Sequence, residues 1–362
     1  MGCCPTISTK CVYAFPPLLK KLMTVPQKKT LPERIWNILK YILAIALVWF
    51  VYSKTSINEI VDLFRRVSLL WLAVSFVLFC LMTMMKAAQY YILSGRQASY
   101  PRVLSIVVTQ NVISNFIATG AGIASYLTMF SVDEGIRLRK AAATFLIAKV
   151  GDLIAVWAAL LITSLLLWRE IPGLKIAAMI MLVMIPLAIG AFLGAIILRQ
   201  RFVDLAGRLA KSLMVDGFSF IQRGLEILQF VAEQDEKYVF GLVQIGVVCS
   251  IIYMALTMLW AYASLRAYSV DLSASVVVFV NSWIQLISWL PIQVFGGLGV
   301  AETSQVYLYG LFGIPAAQMA TVSLGLRVIL YLFNLISLLY LPFQTFFHRK
   351  DPPFDPPNER SE

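Results

Sequence analysis

Five ionisable side chains lie inside long apolar segments of the sequence: Lys86, Lys149, Asp152, Glu302 and Arg327. Each such group costs about 2.5–3.5 kcal/mol to place at the centre of a membrane helix, so each requires a partner or a function. Lys149 and Asp152 are three residues apart and share one helical face, where they can neutralise each other. The pair serves either helix packing or function, and intramembrane charges are functional by default.

The remaining intramembrane charges have no nearby partner in sequence. Arg327 lies near the middle of its segment, and we expect Asp152 or Glu302 to pair with it. Glu302 follows Gly299 by three positions, which suits either a first-turn cap of a short helix or proton and charge handling during transport. Lys86 lies roughly 10 Å from the end of its segment, so we expect it to snorkel to the membrane interface.

Two apolar segments, 103–130 and 272–312, are interrupted by glycine-rich runs with polar neighbours. Such runs unwind helices, and free backbone at membrane depth is tolerated only where protein or a water-filled cavity satisfies it. The exposed N–H groups of a half-helix are suited to a phosphate, whereas the alternative is a tight packing seam of small residues. The candidate residues are Asn111, Asn115, Gly120, Gly122, Gly296, Gly297 and Gly299.

Composition places most of the chain in lipid and limits its chemistry. Hydrophobic residues make up 60% of the chain, charged residues 14%, and the mean hydropathy is +0.80. The single histidine, His348, excludes zinc sites built on histidine clusters and any Ser-His-Asp relay. A phosphate-binding Gly-x-x-x-x-Gly-Lys-Ser/Thr loop is missing from the sequence, so we expect no ATP binding. We also expect no metal ion and no other cofactor. The net charge of +11 comes from basic residues flanking apolar segments, which indicates membrane topology and no nucleic acid.

The hydropathy pattern predicts an all-α polytopic membrane protein with about six full transmembrane helices and two re-entrant hairpins. The pieces after the two glycine breaks are too short to cross a bilayer. The positive-inside rule then places both termini in the cytoplasm. The predicted spans are 35–53, 69–93, 141–168, 176–198, 238–264 and 316–343, with hairpins at 103–130 and 272–312. The other regions are a basic tail (1–34), a transmembrane domain (35–345), a cytoplasmic linker (199–237) and a disordered tail (346–362).

The chain also aligns with itself at a fixed offset. Gly122 then lies over Gly297, and Asp152 over Arg327. The order of span, broken hairpin and span therefore occurs twice, at 69–168 and 238–343, with opposite predicted orientations. This arrangement predicts an inverted repeat of the kind that places broken helices at the midplane of transporters.

Several motifs resemble those of the flippase-like membrane family that includes the transmembrane region of lysylphosphatidylglycerol synthase. They are the run Pro291-Ile-Gln-Val-Phe-Gly-Gly-Leu-Gly-Val-Ala-Glu302 and the segment Ser323-Leu-Gly-Leu-Arg327. Lys149-Val-Gly-Asp152 stands where the family often has Glu-Arg-x-x-Asp, with Ala148 at the position of the acid. The resemblance extends over about 35–345 and implies movement of a polar-headed lipid between leaflets. It leaves no room for the synthase's transferase domain, so we expect a stand-alone transport module.

The sequence therefore predicts a lipid translocase of the cell membrane, without enzymatic activity, acting on an anionic phospholipid or a polyprenyl-linked lipid. In this hypothesis the half-helix N-termini and Lys149 or Arg327 hold the phosphate, and Asp152 and Glu302 balance those charges. The alternative is a membrane subunit or accessory scaffold of a lipid-modifying transferase. A partner enzyme or a second copy of the chain is a possible partner in either case.

Overall fold

The computed structural model describes residues 67–170, 175–198, 236–289 and 297–347, with isolated positions 65, 201, 207 and 208. These residues belong to one compact unit, Ala44–Glu362. Every regular element in the described ranges is an α-helix. The helices are α1 (Leu69–Leu93), α2 (Tyr100–Phe116), α3 (Thr119–Val132), α4 (Leu138–Leu166), α5 (Lys175–Leu198), α6 (Glu236–Ala267), α7 (Ala274–Ser288), α8 (Val300–Gly310), α9 (Ala316–Leu338) and α10 (Tyr340–Phe347).

Four described stretches are long and apolar enough to cross a membrane: Leu69–Leu93, Leu138–Leu166, Phe240–Ala267 and Ala316–Phe343. Helix α5 is also apolar, with 24 residues and Pro186 in its interior. The four stretches agree with the predicted spans at 69–93, 141–168, 238–264 and 316–343 and support a multi-pass membrane protein, whereas the predicted span at 176–198 coincides with a helix that is not among the four. The predicted span at 35–53, both tails and nearly all of the linker at 199–237 lie outside the described residues.

The first broken segment is divided slightly earlier than the sequence predicted. Helix α2 ends at Phe116, and α3 begins at Thr119 after Ala118 adopts extended backbone, with φ −169° and ψ 150°. The prediction that the glycine run itself is unwound is wrong, because Gly120 and Gly122 lie in the first turns of α3. Gly122 is needed for packing instead: a Cβ there would overlap the Ser114 hydroxyl and lie 2.8 Å from the carbonyl oxygen of Gln110.

The second broken segment separates α7 from α8. Helix α7 ends at Ser288, and α8 starts at Val300. Gly297 and Gly299 have φ of 81° and 87°, a region of backbone conformation that favours glycine. The predicted break is therefore present, with Gly299 immediately before α8. Gly296 lies outside the described residues.

The two helices of each broken segment fold back on each other. At the first, Arg102 near the start of α2 lies 3.6 Å from Glu134 just after α3. At the second, the side-chain amide of Asn281 in α7 donates to the Tyr309 hydroxyl near the end of α8, at 3.0 Å. Each segment thus forms a helical hairpin: the first and last residues of the first one are neighbours, and in the second the end of α8 returns to the middle of α7.

The two hairpins open at opposite ends of the bundle. Helix α9 begins shortly after the end of α8, and the Tyr340 hydroxyl beyond its other end donates to the Pro101 carbonyl at the start of α2, at 3.2 Å. About 36 Å of helix separates the start of α9, beside the end of α8, from Tyr340, beside the start of α2. Helices α1 and α6 are antiparallel, because the Ser68 amide at the start of α1 donates to the Ala267 carbonyl at the end of α6.

Helix packing is reciprocal between the two halves of the described structure. Helix α1 packs against α6, while α7 of the second hairpin packs against α4, and α2 of the first hairpin packs against α9. Small residues allow the closest approach between α4 and α6. A Cβ at Gly151 would lie 2.7 Å from the Ser250 hydroxyl and 2.9 Å from the Gly246 carbonyl oxygen. Close backbone approach of this kind is a main source of helix association in lipid.

Candidate functional site

A buried ion pair joins α1 to α4. Lys86 Nζ lies 2.8 Å from Asp152 Oδ1 and 2.7 Å from Oδ2, and the two side chains are only 10% and 6% exposed. The prediction that Lys86 snorkels to the interface is wrong. Its helical face is turned towards α4 and α6, where a carboxylate is within direct reach and replaces the solvation that the interface would offer.

A ring of hydrogen bonds satisfies the other polar atoms around this pair. Lys86 donates to Gln89 Oε1 at 2.8 Å, and Gln89 Nε2 donates to Ser250 Oγ at 2.8 Å and to the Gly246 carbonyl at 3.0 Å. Ser250 in turn donates to Asp152 Oδ1 at 2.8 Å. The ring therefore ties α1, α4 and α6 together. Sequence reasoning missed Gln89 and Ser250, although Gln89 lies three residues from Lys86 and shares its helical face.

Lys149 is the accessible member of this cluster. Its ammonium lies 3.3 Å from Asp152 Oδ2, as the spacing predicted, but its side chain is 35% exposed. The rings of Phe145 and Trp289 lie 5.7 and 5.5 Å from it, within the range of cation–π attraction. Among the described residues the cluster has two ammonium groups and one carboxylate. Its surplus positive charge is therefore presented by Lys149.

The second cluster is centred on Glu302. Its Oε1 accepts from Arg327 Nε at 2.6 Å, and its Oε2 accepts from the Gly299 amide at 2.6 Å. The side chains of Glu302 and Arg327 are 4% and 10% exposed. Glu302 thus caps α8, one of the two roles considered for it, and it is the partner of Arg327, which the sequence had left between Asp152 and Glu302. The Gly299 amide, a predicted phosphate donor, already donates to the protein's own carboxylate.

Aromatic side chains connect both clusters to the breaks. The Arg327 guanidinium lies 5.8 Å from the ring centre of Tyr331, which stacks on Phe116, the last residue of α2, at 4.7 Å. Lys149 makes the corresponding contact with Trp289, the residue directly after α7. Helix α9 therefore contacts Phe116, which precedes the first break, and α4 contacts Trp289, which precedes the second break.

The other predicted site residues occupy more ordinary positions. Asn115 donates its side-chain amide to the Asn111 carbonyl one turn earlier, at 2.9 Å. Gly122 belongs to the seam between α2 and α3, as the packing alternative anticipated, whereas Gly120 is exposed with open space around it. Within the described part of the chain, histidine, cysteine and acidic side chains form no group of three that could hold a metal ion.

An apolar helical bundle with two broken hairpins and buried ion pairs defines an integral membrane protein with a polar interior. Residues 37–337 match the family model described as the lysylphosphatidylglycerol synthase TM region, and the chain belongs to this family. The match confirms the resemblance recognised in the sequence and places the protein in a family associated with membrane lipids. No match was found among curated proteins or among solved structures.

Proposed function

We propose that this protein is a lipid translocase that moves an anionic, polar-headed lipid between the leaflets of the cell membrane. The substrate would be a phospholipid or a polyprenyl-linked lipid. The observation that carries the proposal is the surplus positive charge at Lys149, half-exposed beside Trp289 at the second break. An ammonium group in this position can bind a phosphate without separating the buried Lys86–Asp152 pair.

The depth of the charged residues supports this function. Lys149 lies about three turns into α4, and Arg327 about three turns into α9, which places each roughly 16 Å from the start of its helix. A bilayer's hydrocarbon core is about 30 Å thick, so both residues would lie near its midplane. The acyl chains of the lipid would remain in the bilayer while the headgroup passes along the polar interior.

The two hairpins supply the symmetry that such a mechanism needs. We infer that both are re-entrant, that they enter from opposite faces, and that 69–168 and 238–343 form an inverted repeat. Their opening at opposite ends of the bundle and the reciprocal packing of α7 on α4 and of α2 on α9 support this interpretation. With about six full spans, both termini would be cytoplasmic.

The clusters have different roles in this proposal. Lys149 contacts the phosphate, and Asp152 orients Lys149 while remaining bound to Lys86. Glu302 and Arg327 neutralise each other, so they hold the start of α8 in place and contribute less attraction for an anion than the sequence hypothesis assigned to Arg327. Gly120 and its neighbours at the start of α3, where Ala118 provides no side-chain cap, remain a predicted second contact for the headgroup.

The second candidate function is that of a membrane subunit or scaffold of a lipid-modifying transferase. The family description favours it, since it names the transmembrane region of a synthase. The described residues are better suited to transport, because their buried acids are engaged in ion pairs and caps. We therefore propose that the chain itself is not an enzyme.

Reconstitution into liposomes containing a headgroup-labelled anionic phospholipid separates these functions. Translocation predicts a change in headgroup exposure with no new lipid species by mass spectrometry, whereas catalysis predicts a new species. Lys149→Gln should abolish the change in exposure. Lys175→Gln is the matched control, because this lysine also lies 5.5 Å from a tryptophan ring, that of Trp168, but at the end of the bundle. Equal translocation by both variants would refute the role of Lys149.

A further inference from the structure

The loops at the open end of the first hairpin form a basic surface, which we call the first mouth (residues 94–102 and 133–140). Arg102 lies 3.6 Å from Glu134 across the two loops, and Ala98 and Ile136 are buried in one hydrophobic cluster. Two stretches that are distant in sequence therefore present a single surface. Its basic residues are Arg96, Arg102, Arg137, Arg139 and Lys140.

In these two stretches five basic residues stand against two acids, Asp133 and Glu134, so a net positive charge remains even where the acids are paired. The Glu134 side chain is only 8% exposed and is directed to Arg102. Burial raises the pKa of its carboxyl above the usual range, against the opposing effect of Arg102. Asp133 is the exposed acid, while Arg96, Arg137 and Arg139 are all exposed. The outward face of the first mouth is therefore cationic.

Exposed apolar side chains beside the arginines determine the depth at which the first mouth lies in a bilayer. Leu138 is 55% exposed and lies between Arg137 and Arg139, and Val132 is 50% exposed at the end of α3. Exposed apolar side chains at the end of a membrane bundle contact acyl chains, and arginines beside them extend to the headgroup phosphates. The charge and position of the first mouth are thus complementary to an anionic lipid headgroup.

We propose that the first mouth is a binding surface for anionic phospholipid headgroups of the adjacent leaflet. Binding there does not depend on the proposed function. Its consequence for transport does: the surface would enrich anionic lipid at the start of α4, about 16 Å along that helix from Lys149. The first mouth would then favour anionic over zwitterionic substrates before the headgroup reaches Lys149.

The test compares lipids retained by the full chain in nanodiscs that contain phosphatidylglycerol and phosphatidylcholine. The wild-type protein should retain phosphatidylglycerol preferentially. The triple variant Arg96→Gln/Arg137→Gln/Arg139→Gln should lower this preference at least about fivefold, which corresponds to the attraction of one basic residue to an anionic surface. Replacing the same three arginines by lysine should preserve the preference, because charge and not guanidinium geometry is the determinant.

A matched control removes three charges from the opposite end of the bundle, as Arg169→Gln/Lys175→Gln/Arg266→Gln. An unchanged preference in the first-mouth variant would overturn the proposal, and so would an equal loss in the control. Lys149→Gln should keep the lipid preference while losing translocation, which separates the two proposals. Thermal unfolding of each variant verifies that a lost preference does not result from a lost fold.

Discussion

Neutralising Asp152 tests the energetics of the buried cluster. Asp152→Asn leaves the Lys86 ammonium in a site that is 10% exposed, with neutral hydrogen-bond acceptors, the new amide oxygen and Gln89, in place of a carboxylate. Breaking one side of a buried ion pair costs about 3–5 kcal/mol, because the other charge stays desolvated. We therefore expect Asp152→Asn to lower the free energy of unfolding by about this amount.

Removing the charge of Lys86 should lower the free energy of unfolding less than removing that of Asp152. Lys86→Gln leaves the Asp152 carboxylate with Lys149 at 3.3 Å and Ser250 at 2.8 Å, so part of its charge stays compensated. The double variant Lys86→Gln/Asp152→Asn removes both charges and keeps two groups that can hydrogen-bond. Its loss should be smaller than the sum of the single losses by about 1–3 kcal/mol, as expected for two residues in direct contact.

Reversible unfolding of the four proteins in one detergent measures these differences. The control is Asp271→Asn at the exposed pair with Arg266, where the carboxylate side chain is 77% exposed and little change is expected. The reasoning is refuted if the losses at Lys86 and Asp152 add without interaction. It is equally refuted if Asp152→Asn destabilises the protein no more than Asp271→Asn does.

Two glycine pairs give further predictions that the same unfolding measurement checks. Gly122→Ala should cost about 1–3 kcal/mol through overpacking against α2, whereas Gly120→Ala, with open space around it, should be neutral or stabilising. Gly299→Ala should lower the free energy of unfolding by about 1–3 kcal/mol, because φ is 87° at this position. Gly310→Ala should change it little, because an added Cβ there meets nothing within 4 Å. Equal effects within either pair would contradict the packing or the backbone geometry described here.

Local spacing predicted the parts of the site that a single helix determines. The three-residue interval between Lys149 and Asp152 gave their ion pair, and the interval between Gly299 and Glu302 gave the cap of α8. Long apolar runs likewise predicted the positions of the long helices, with α1 matching its predicted bounds. These features depend on helical periodicity, which is encoded within a few turns of sequence.

The parts that sequence reasoning missed depend on how distant helices are rotated against each other. The burial of Lys86 requires that its face of α1 meets α4, which hydropathy alone does not specify. Ser250 enters the cluster only because α6 approaches α4 closely at Gly151. The first break was misplaced because a glycine run can serve either unwinding or packing, and the contact of Gly122 with α2 decides between them.

The central claim is that each broken segment enters and leaves the membrane on one face, and that the two segments use opposite faces. Measuring the side of the membrane on which the ends of each hairpin lie tests this claim most directly. Single cysteines at Ser99, Asp133, Ala274 and Ala317, in a background lacking the native cysteines, can be labelled in sealed vesicles with a membrane-impermeant maleimide. The account predicts that Ser99→Cys and Asp133→Cys react from one side, and that Ala274→Cys and Ala317→Cys react from the other. Reaction of Ser99→Cys and Asp133→Cys from opposite sides would contradict it.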